Sequence, residues 1–237
     1  MESYANPEML VETDWLAAHL DDPSIRLVDA DFPQGYARAH IPGAVGQAGL
    51  SPFLKTDESR SGEHGAFLLG PGEFADRMSR MGIGDGGLVV AYDNRMGSYA
   101  SRLWWALNTY GFRNVKLLNG GWHKWIVEGR PVTTRVPRVE PTSFTPRRDD
   151  SMYGTCDLLK AAIGRPDVAI LDVRAEDEYA GRDDRGNRRR GHVPGAVHLE
   201  WTELVSTDDR RVFRPASELR RLLASRGVTP DKEVHLY

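Results

Sequence analysis

The first residues that could carry out chemistry in this sequence follow an apolar strand. Leu88–Tyr92 is predicted to be a buried strand that leads into a loop, residues 93–98, and then into a helix. In such a turn the loop N–H groups converge on one point, and the helix dipole adds partial positive charge there. The turn suits an anion, or a cysteine whose pKa is lowered so that it is a nucleophilic thiolate at neutral pH. The residue at the first loop position is Asp93, which cannot attack a sulfur atom.

A second copy of this strand occurs near the end of the sequence. The segments 71–92 and 215–237 resemble each other, and their final tyrosines, Tyr92 and Tyr237, lie 145 positions apart. Two further blocks repeat in the same order, an apolar strand that ends in aspartate and the motif His-Ile/Val-Pro-Gly-Ala-Val. The aspartates are Asp29 and Asp172, and the motifs begin at His40 and His192. Three blocks in one order indicate a duplication, and a period of this length makes each copy a domain.

The second copy ends where the first copy enters its loop. It has no counterpart of residues 93 to about 131, which supply a loop, two helices and a strand in the first copy. Because a parallel sheet without an interior part exposes apolar edges, we expect an intact relative to extend about 40 residues beyond Tyr237.

Composition predicts a cytoplasmic protein without a nucleic-acid or membrane partner. The 237 residues carry a formal net charge of −3, which gives no basic field to attract polyanions. No apolar stretch approaches the roughly 18 residues of a membrane helix, and the first residues do not resemble a signal peptide. A single cysteine, Cys156, excludes an internal disulfide, which fits a reducing compartment. The histidines show no metal-ligand spacing, so we expect no metal.

The order of elements predicts the fold class and the domain boundaries. Strands that alternate with helices indicate an α/β protein with mainly parallel sheets flanked by helices. We expect the first domain at residues 8–131 and the second at residues 151–237. Residues 132–150 contain several prolines and no helical period, which predicts an extended linker.

Taken together, these motifs resemble the tandem-domain rhodaneses, the thiosulfate and 3-mercaptopyruvate sulfurtransferases. The resemblance includes Leu-Asn-Gly-Gly-Trp-His-Lys-Trp at residues 118–125, and it covers essentially the whole chain. It implies two rhodanese-like domains, the second incomplete in this chain. In that family the first domain carries aspartate or a similar residue where the second carries the active cysteine. Asp93 therefore matches the inactive position, and the active cysteine is expected directly after Tyr237.

The resemblance also implies a reaction that needs no cofactor. A cysteine thiolate takes the sulfane sulfur of thiosulfate or 3-mercaptopyruvate, holds it as a persulfide and passes it to cyanide or a thiol. The expected partners are thus a small anionic sulfur donor and a thiophilic acceptor. Such a site needs oriented N–H groups and nearby arginines. The oligomeric state does not follow from the sequence.

Two arginines of the second copy are candidates for donor binding. Asp172 and His192 are 20 positions apart, against 11 in the first copy, and the nine extra residues are rich in arginine. Mercaptopyruvate-type relatives place a substrate arginine seven residues before that histidine, which is Arg185 here. Where the family has a second substrate arginine this chain has Glu178, a departure. Arg174 is a candidate for donor binding or for pairing with a carboxylate, and a solvated charged loop is the alternative for the arginine-rich segment.

Two other functions remain open at this point. One is a non-catalytic rhodanese-like binding or regulatory protein, in which neither domain carries a nucleophile. The other is a relative of phosphatases or arsenate reductases, which also use a cysteine in a strand–loop–helix turn. A cysteine after Tyr237, followed by a short glycine-containing loop and a helix, would indicate sulfur transfer.

Overall fold

A computed structural model describes residues 3–46, 54–56 and 66–237 of the chain. The chain divides into two compact units, each of α/β type. The N-terminal unit consists of Asn6–Met152 and Thr207–Val212, and the C-terminal unit consists of Met1–Ala5, Tyr153–Ser206 and Phe213–Tyr237. No helix in the described ranges is long and apolar enough to cross a membrane.

The N-terminal unit alternates short strands with helices. Its elements are β1 (Leu10–Val11), α1 (Thr13–Ala18), β2 (Ile25–Asp29), α2 (Pro33–Arg38), β3 (Val45–Gly46), β4 (Leu54–Thr56), β5 (Ala66–Leu68), α3 (Pro71–Arg80), β6 (Leu88–Tyr92), α4 (Ser98–Thr109), β7 (Val115–Leu118) and α5 (Gly121–Val127). Five strands form a sheet in the order β1-β7-β6-β2-β3, and every pairing in it is parallel. Strands β4 and β5 pair separately and antiparallel.

Strand β6 lies in the middle of this sheet and is buried on both faces. Its run of apolar residues is typical of a central parallel strand that helices cover on both sides. Val89 and Ala91 pack into one core with α3 and α4. Val90 and Tyr92 pack into the other core with α1 and α5. This packing on both faces fixes the end of β6, and therefore the start of the loop at Asp93.

The extended segment 132–150 lies along the N-terminal unit. Thr133 and His40 exchange two backbone hydrogen bonds of 2.9 Å. Phe144 is 7% exposed and belongs to the core that contains α3 and α4. The prolines indicated the extended conformation, whereas the anchoring depends on distant partners that composition does not reveal.

The C-terminal unit repeats one part of this arrangement. Its elements are α6 (Cys156–Ala162), β8 (Val168–Asp172), α7 (Glu176–Tyr179), β9 (Val197–His198), α8 (Ala216–Ser225) and β10 (Glu233–Leu236). The parallel order β10-β8-β9 matches β6-β2-β3 of the N-terminal unit. Strand β10 pairs with β8, and its Val234 and Leu236 are 41% and 68% exposed. Their counterparts in β6, Val89 and Ala91, are buried between β2 and β7.

Candidate functional site

The loop after β6 is a ring of backbone donors around one carboxylate. The Asp93 side chain is buried, at 1% exposure. Its Oδ1 accepts the N–H groups of Arg95 and Gly97 at 2.6 and 2.9 Å. Its Oδ2 accepts those of Tyr99 and Ala100, both at 2.8 Å. Four donors thus converge on one anion at the start of α4, which is the arrangement that favours a negative charge.

Left-handed backbone conformations make this convergence possible. Met96 and Gly97 have φ of +56° and +89°, and these values turn successive N–H groups toward the same side. Gly121 lies directly against the loop, because an added Cβ there would be 2.7 Å from the Asp93 carbonyl oxygen. The Trp122 N–H donates to that same oxygen at 3.1 Å. The loop is therefore closely packed, and its anion site is filled by the chain's own side chain.

The equivalent position of the C-terminal unit lies at the carboxyl ends of β8 and β10. Asp172, which ends β8, has no exposed side-chain surface and pairs with Arg174. The Arg174 Nε donates to Asp172 Oδ1 at 3.0 Å, and its Nη2 donates to Oδ2 at 2.5 Å. This bidentate ion pair neutralises a buried carboxylate. Burial alone would raise the pKa of Asp172, but the hydrogen bonds from Arg174 outweigh it and hold the pKa below its ordinary value.

Arg174 also connects the ends of three segments. Its Nη2 donates to the Gly191 carbonyl oxygen at 2.9 Å, and its guanidinium lies 5.2 Å from the centre of the Tyr237 ring. The Asp172 carboxylate raises the pKa of Arg174. The arginine therefore joins β8, the end of the arginine-rich loop and the last residue of the sequence.

A hydrogen-bonded tyrosine occupies the same place in both copies. The Tyr92 hydroxyl accepts the Ile41 N–H at 3.0 Å, and the Tyr237 hydroxyl accepts the Val193 N–H at 2.8 Å. Each phenol also hydrogen-bonds the aspartate of the neighbouring strand, Asp29 or Asp172. These equivalent partners place Tyr237 in the position of Tyr92, one residue before the anion-binding loop of the first copy.

The histidines before the two Pro-Gly turns make equivalent contacts in the two copies. The His40 ring stacks on Tyr36 with centroids 3.9 Å apart, and its Nδ1 lies 2.8 Å from the Tyr36 carbonyl oxygen. His192 stacks on Tyr179 at 3.9 Å, with Nδ1 2.9 Å from the Tyr179 carbonyl oxygen. Both imidazoles are held between a ring and the backbone, so they position the turn.

The two copies differ at the residue that faces the strand aspartate. The counterpart of Arg174 is Asp31, which is 8% exposed and therefore buried beside Asp29. Burial raises the pKa of Asp29 to about 6, and the nearby Asp31 charge adds to the increase. The buried ion pair of the C-terminal unit is thus replaced by two carboxyl groups in the N-terminal unit. The sequence alignment of the copies contains this difference, but its electrostatic effect depends on burial.

Arg185 lies in the loop between α7 and β9, with a left-handed φ of +49° and a side chain that is 63% exposed. Its Nε is 3.4 Å from Glu178 Oε2 and 3.4 Å from Asp183 Oδ2. The sequence indicates Arg185 as a candidate and Glu178 as a departure from the family pattern, but it does not predict the ion pair between them.

In the described part of the chain, the remaining candidate groups do not form a second site. Cys156 is exposed at the first position of α6, with Thr155 as the N-cap that accepts the Leu158 N–H at 3.2 Å. Among the residues that the structure describes, no three histidine, cysteine, aspartate or glutamate side chains form a group that could hold a metal ion.

Comparison with known proteins identifies the family of this arrangement. The family model of the rhodanese-like domain matches residues 12–128 and 155–237. The sulfur carrier protein TtuD of Thermus thermophilus is 35% identical, over 99% of this chain and 83% of that protein. A thiosulfate sulfurtransferase of Azotobacter vinelandii is 30% identical, also over 99% of this chain and 83% of its own length.

A solved structure agrees with these matches. SseA from Escherichia coli, a 3-mercaptopyruvate sulfotransferase of rhodanese fold, is 28% identical with a TM-score of 0.83. The match covers 96% of this chain and 87% of SseA. The expected fold of parallel sheets flanked by helices is therefore confirmed. Since the family model matches most of the sequence in two segments, the chain belongs to the rhodanese-like family, as a transferase with two rhodanese-like domains.

Proposed function

We propose that the protein is a sulfurtransferase that moves a sulfane sulfur from thiosulfate, or from 3-mercaptopyruvate, to cyanide or a thiol. The sulfur is carried as a persulfide on a cysteine that directly follows Tyr237 in the intact protein. The observation that carries this proposal is the ring of N–H donors around Asp93, immediately after Tyr92. Tyr237 and Tyr92 have hydrogen-bond partners at equivalent positions of the two copies, so the residue after Tyr237 is expected to enter an equivalent loop.

The proposed reaction follows from the chemistry of such a loop. The N–H groups and the helix dipole stabilise a thiolate, which attacks the outer sulfur of thiosulfate. The sulfur–sulfur bond of the donor breaks, and sulfite leaves with the electron pair. Cyanide then attacks the outer sulfur of the persulfide, forms thiocyanate and regenerates the thiolate. The same N–H groups stabilise negative charge on the transferred sulfur in both steps.

Two arginines receive different roles in this proposal. Arg185 binds the anionic donor, because its side chain is a cation that is 63% exposed and therefore accessible to a small anion. Arg174 is a positioning residue, because its contacts with Asp172, Gly191 and Tyr237 hold the strand ends where the nucleophile emerges. Asp93 is the inactive equivalent of the nucleophile.

A non-catalytic binding or regulatory protein is the second candidate. It is favoured by one observation: in the described part of the chain, the loop that has the donor ring contains a carboxylate and no thiol.

Assay of the intact protein for thiocyanate formation separates the two candidates. We expect thiocyanate with cyanide and thiosulfate or 3-mercaptopyruvate, and a cyanide-labile sulfur on the protein after incubation with the donor alone. The donor that gives the faster thiocyanate formation identifies the class of sulfur donor that the protein uses. Absence of thiocyanate and of labile sulfur with both donors would reject the sulfurtransferase and support the binding protein.

Replacement of Arg185 by glutamine tests its role in donor binding. We expect KM for the donor to rise about tenfold with kcat nearly unchanged, because a lost charge-assisted contact costs about 1.5 kcal/mol. The control is Arg165→Gln, since Arg165 is also exposed and paired with two carboxylates, Asp167 and Glu233. Equal KM values for the wild type and the Arg185 variant would remove Arg185 from the donor site.

A further inference from the structure

Two carboxylates face the guanidinium of Arg185. Asp183 is part of the same turn, where its Oδ1 also accepts the Arg185 backbone N–H at 2.9 Å. Glu178 comes from α7, a separate element, and its Oε2 is 3.4 Å from Arg185 Nε. The charge of Arg185 is therefore compensated before any ligand arrives.

Glu178 is well placed to act on a ligand at this point. Its side chain is only 13% exposed, whereas that of Arg185 is 63% exposed. A largely buried carboxylate is screened less by water and salt than an exposed one, so its field extends further. Glu178 also acts electrostatically on Arg174, where it adds to the larger effect of Asp172 in raising the pKa.

The geometry of the ion pairs leaves part of Arg185 available. The shortest contact of each carboxylate with the guanidinium is at Nε, and within the described part of the chain the two terminal nitrogens of Arg185 donate no hydrogen bond. These two nitrogens form the end-on fork that binds planar or tetrahedral anions. An anion bound there lies within a few ångströms of the Glu178 carboxylate.

We propose that Glu178 is a specificity-determining residue: its charge lowers the affinity of the Arg185 guanidinium for anions, and lowers it more for dianions than for monoanions. The electrostatic repulsion grows with ligand charge, so a dianion such as thiosulfate loses more affinity than a monocarboxylate. The anion preference stands on the ion-pair geometry, and its meaning as a choice of sulfur donor rests on the proposed function.

Repulsion outweighs any benefit from orienting Arg185. The backbone conformation of the turn and Asp183 already hold the arginine, so Glu178 adds little order. Repulsion between like charges a few ångströms apart near a protein surface exceeds the entropy saved by fixing one side chain.

The test is Glu178→Gln in the full chain, with sulfate as the dianion and pyruvate as the monoanion. Binding is followed at low ionic strength by NMR titration of the backbone amides of residues 181–191. We expect the sulfate Kd to fall about tenfold and the pyruvate Kd about threefold, since tenfold corresponds to 1.36 kcal/mol. The matched control is Glu176→Gln, which removes the same charge from the same helix but from a carboxylate that contacts His198 and Arg182.

A double-mutant cycle tests whether the effect requires an anion bound at Arg185. In an Arg185→Gln background, Glu178→Gln should no longer improve sulfate binding. An equal gain for both anions, a gain that survives without Arg185, or no measurable gain overturns the proposal. A loss of affinity in the Glu178 variant also overturns it, because it would show that Glu178 orients Arg185.

The outcome is independent of sulfur transfer. A charge-dependent gain without thiocyanate formation supports the role of Glu178 and rejects the sulfurtransferase. Thiocyanate formation with unchanged anion affinities in the Glu178 variant supports the sulfurtransferase and rejects the role of Glu178.

Discussion

Asp93 determines what the loop after β6 binds. Backbone N–H groups that could stabilise a thiolate or a substrate anion instead donate to the carboxylate of the chain's own aspartate side chain. The register of the two copies was enough to identify this residue, since Asp93 follows Tyr92 directly. The ion pair between Arg185 and Glu178 was not predictable in the same way, because it depends on the path of an inserted loop that has no counterpart in the first copy.

Replacement of Asp93 by alanine should destabilise the N-terminal unit by about 3–5 kcal/mol, because it leaves buried N–H donors without an acceptor. The measurement is chemical denaturation of the variant beside the wild type. Asp76→Ala is the control, since Asp76 is 56% exposed in a helical ion pair with Arg80 and should change stability by less than about 1 kcal/mol. A similar small effect for both variants would mean that water replaces the carboxylate at no cost.

At the scale of elements, the ends of β2 and β8 differ in how the charge of a buried aspartate is compensated. Both strands end in a buried aspartate that hydrogen-bonds a tyrosine, but only β8 is followed by an arginine that pairs with it. The sequence contained both pairs of residues, Asp29 with Asp31 and Asp172 with Arg174. It did not indicate how deeply each aspartate is buried, and burial decides the cost of its charge.

The two aspartates should therefore have opposite effects on pH-dependent stability. Asp29 has a pKa of about 6 in the folded chain against 3.8 as the ordinary value, so the unfolded state releases this proton first. Stability is lost between pH 4 and 6 as the pH rises, by about 3 kcal/mol in all. The pKa of Asp172 is lowered, so its contribution is present above the ordinary value and is lost as the pH falls through the folded pKa. The difference in unfolding free energy between the wild type and Asp29→Asn should fall as the pH rises from 4 to 6, whereas the difference for Asp172→Asn should fall as the pH drops below 3.8.

Charge reversal at Asp31 gives a direct test of the difference. Asp31→Arg should lower the pKa of Asp29 and stabilise the N-terminal unit at neutral pH, because it supplies the partner that Arg174 provides to Asp172. Carboxyl NMR titration follows Asp29 itself, and Asp31→Asn is the control that removes a charge without adding the partner. An Asp29 midpoint that stays near 6 in both variants would show that burial alone sets it.

For the molecule as a whole, the two units do not follow the sequence order strictly. Residues from the N-terminus belong to the C-terminal unit, and Thr207–Val212 belongs to the N-terminal unit. The repeat predicted two α/β domains correctly, because strand order and register are local consequences of the duplicated blocks. It did not predict these exchanged segments, since each is held by contacts between residues far apart in sequence. The proposed boundaries at residues 131 and 151 stay a prediction.

Tyr4 tests the importance of the first of these segments. Its hydroxyl donates to the carbonyl oxygens of Phe213 and Arg214 at 3.3 and 3.0 Å. Tyr4→Phe should lower the stability of the C-terminal unit by about 1 kcal/mol. Denaturation monitored by the indole N–H NMR signal of Trp201, which belongs to that unit, provides the measurement. An unchanged midpoint would show that the segment is held by other contacts.

The filled loop at Asp93 also has a consequence for hydrogen exchange. The amide protons of Arg95, Gly97, Tyr99 and Ala100 point at a buried acceptor that is covalently part of the chain. They should exchange slowly with solvent deuterium, and their rates should not respond to added sulfate or thiosulfate. These four amides thus provide an internal reference for the molecule, against which changes in protection elsewhere on ligand addition can be measured.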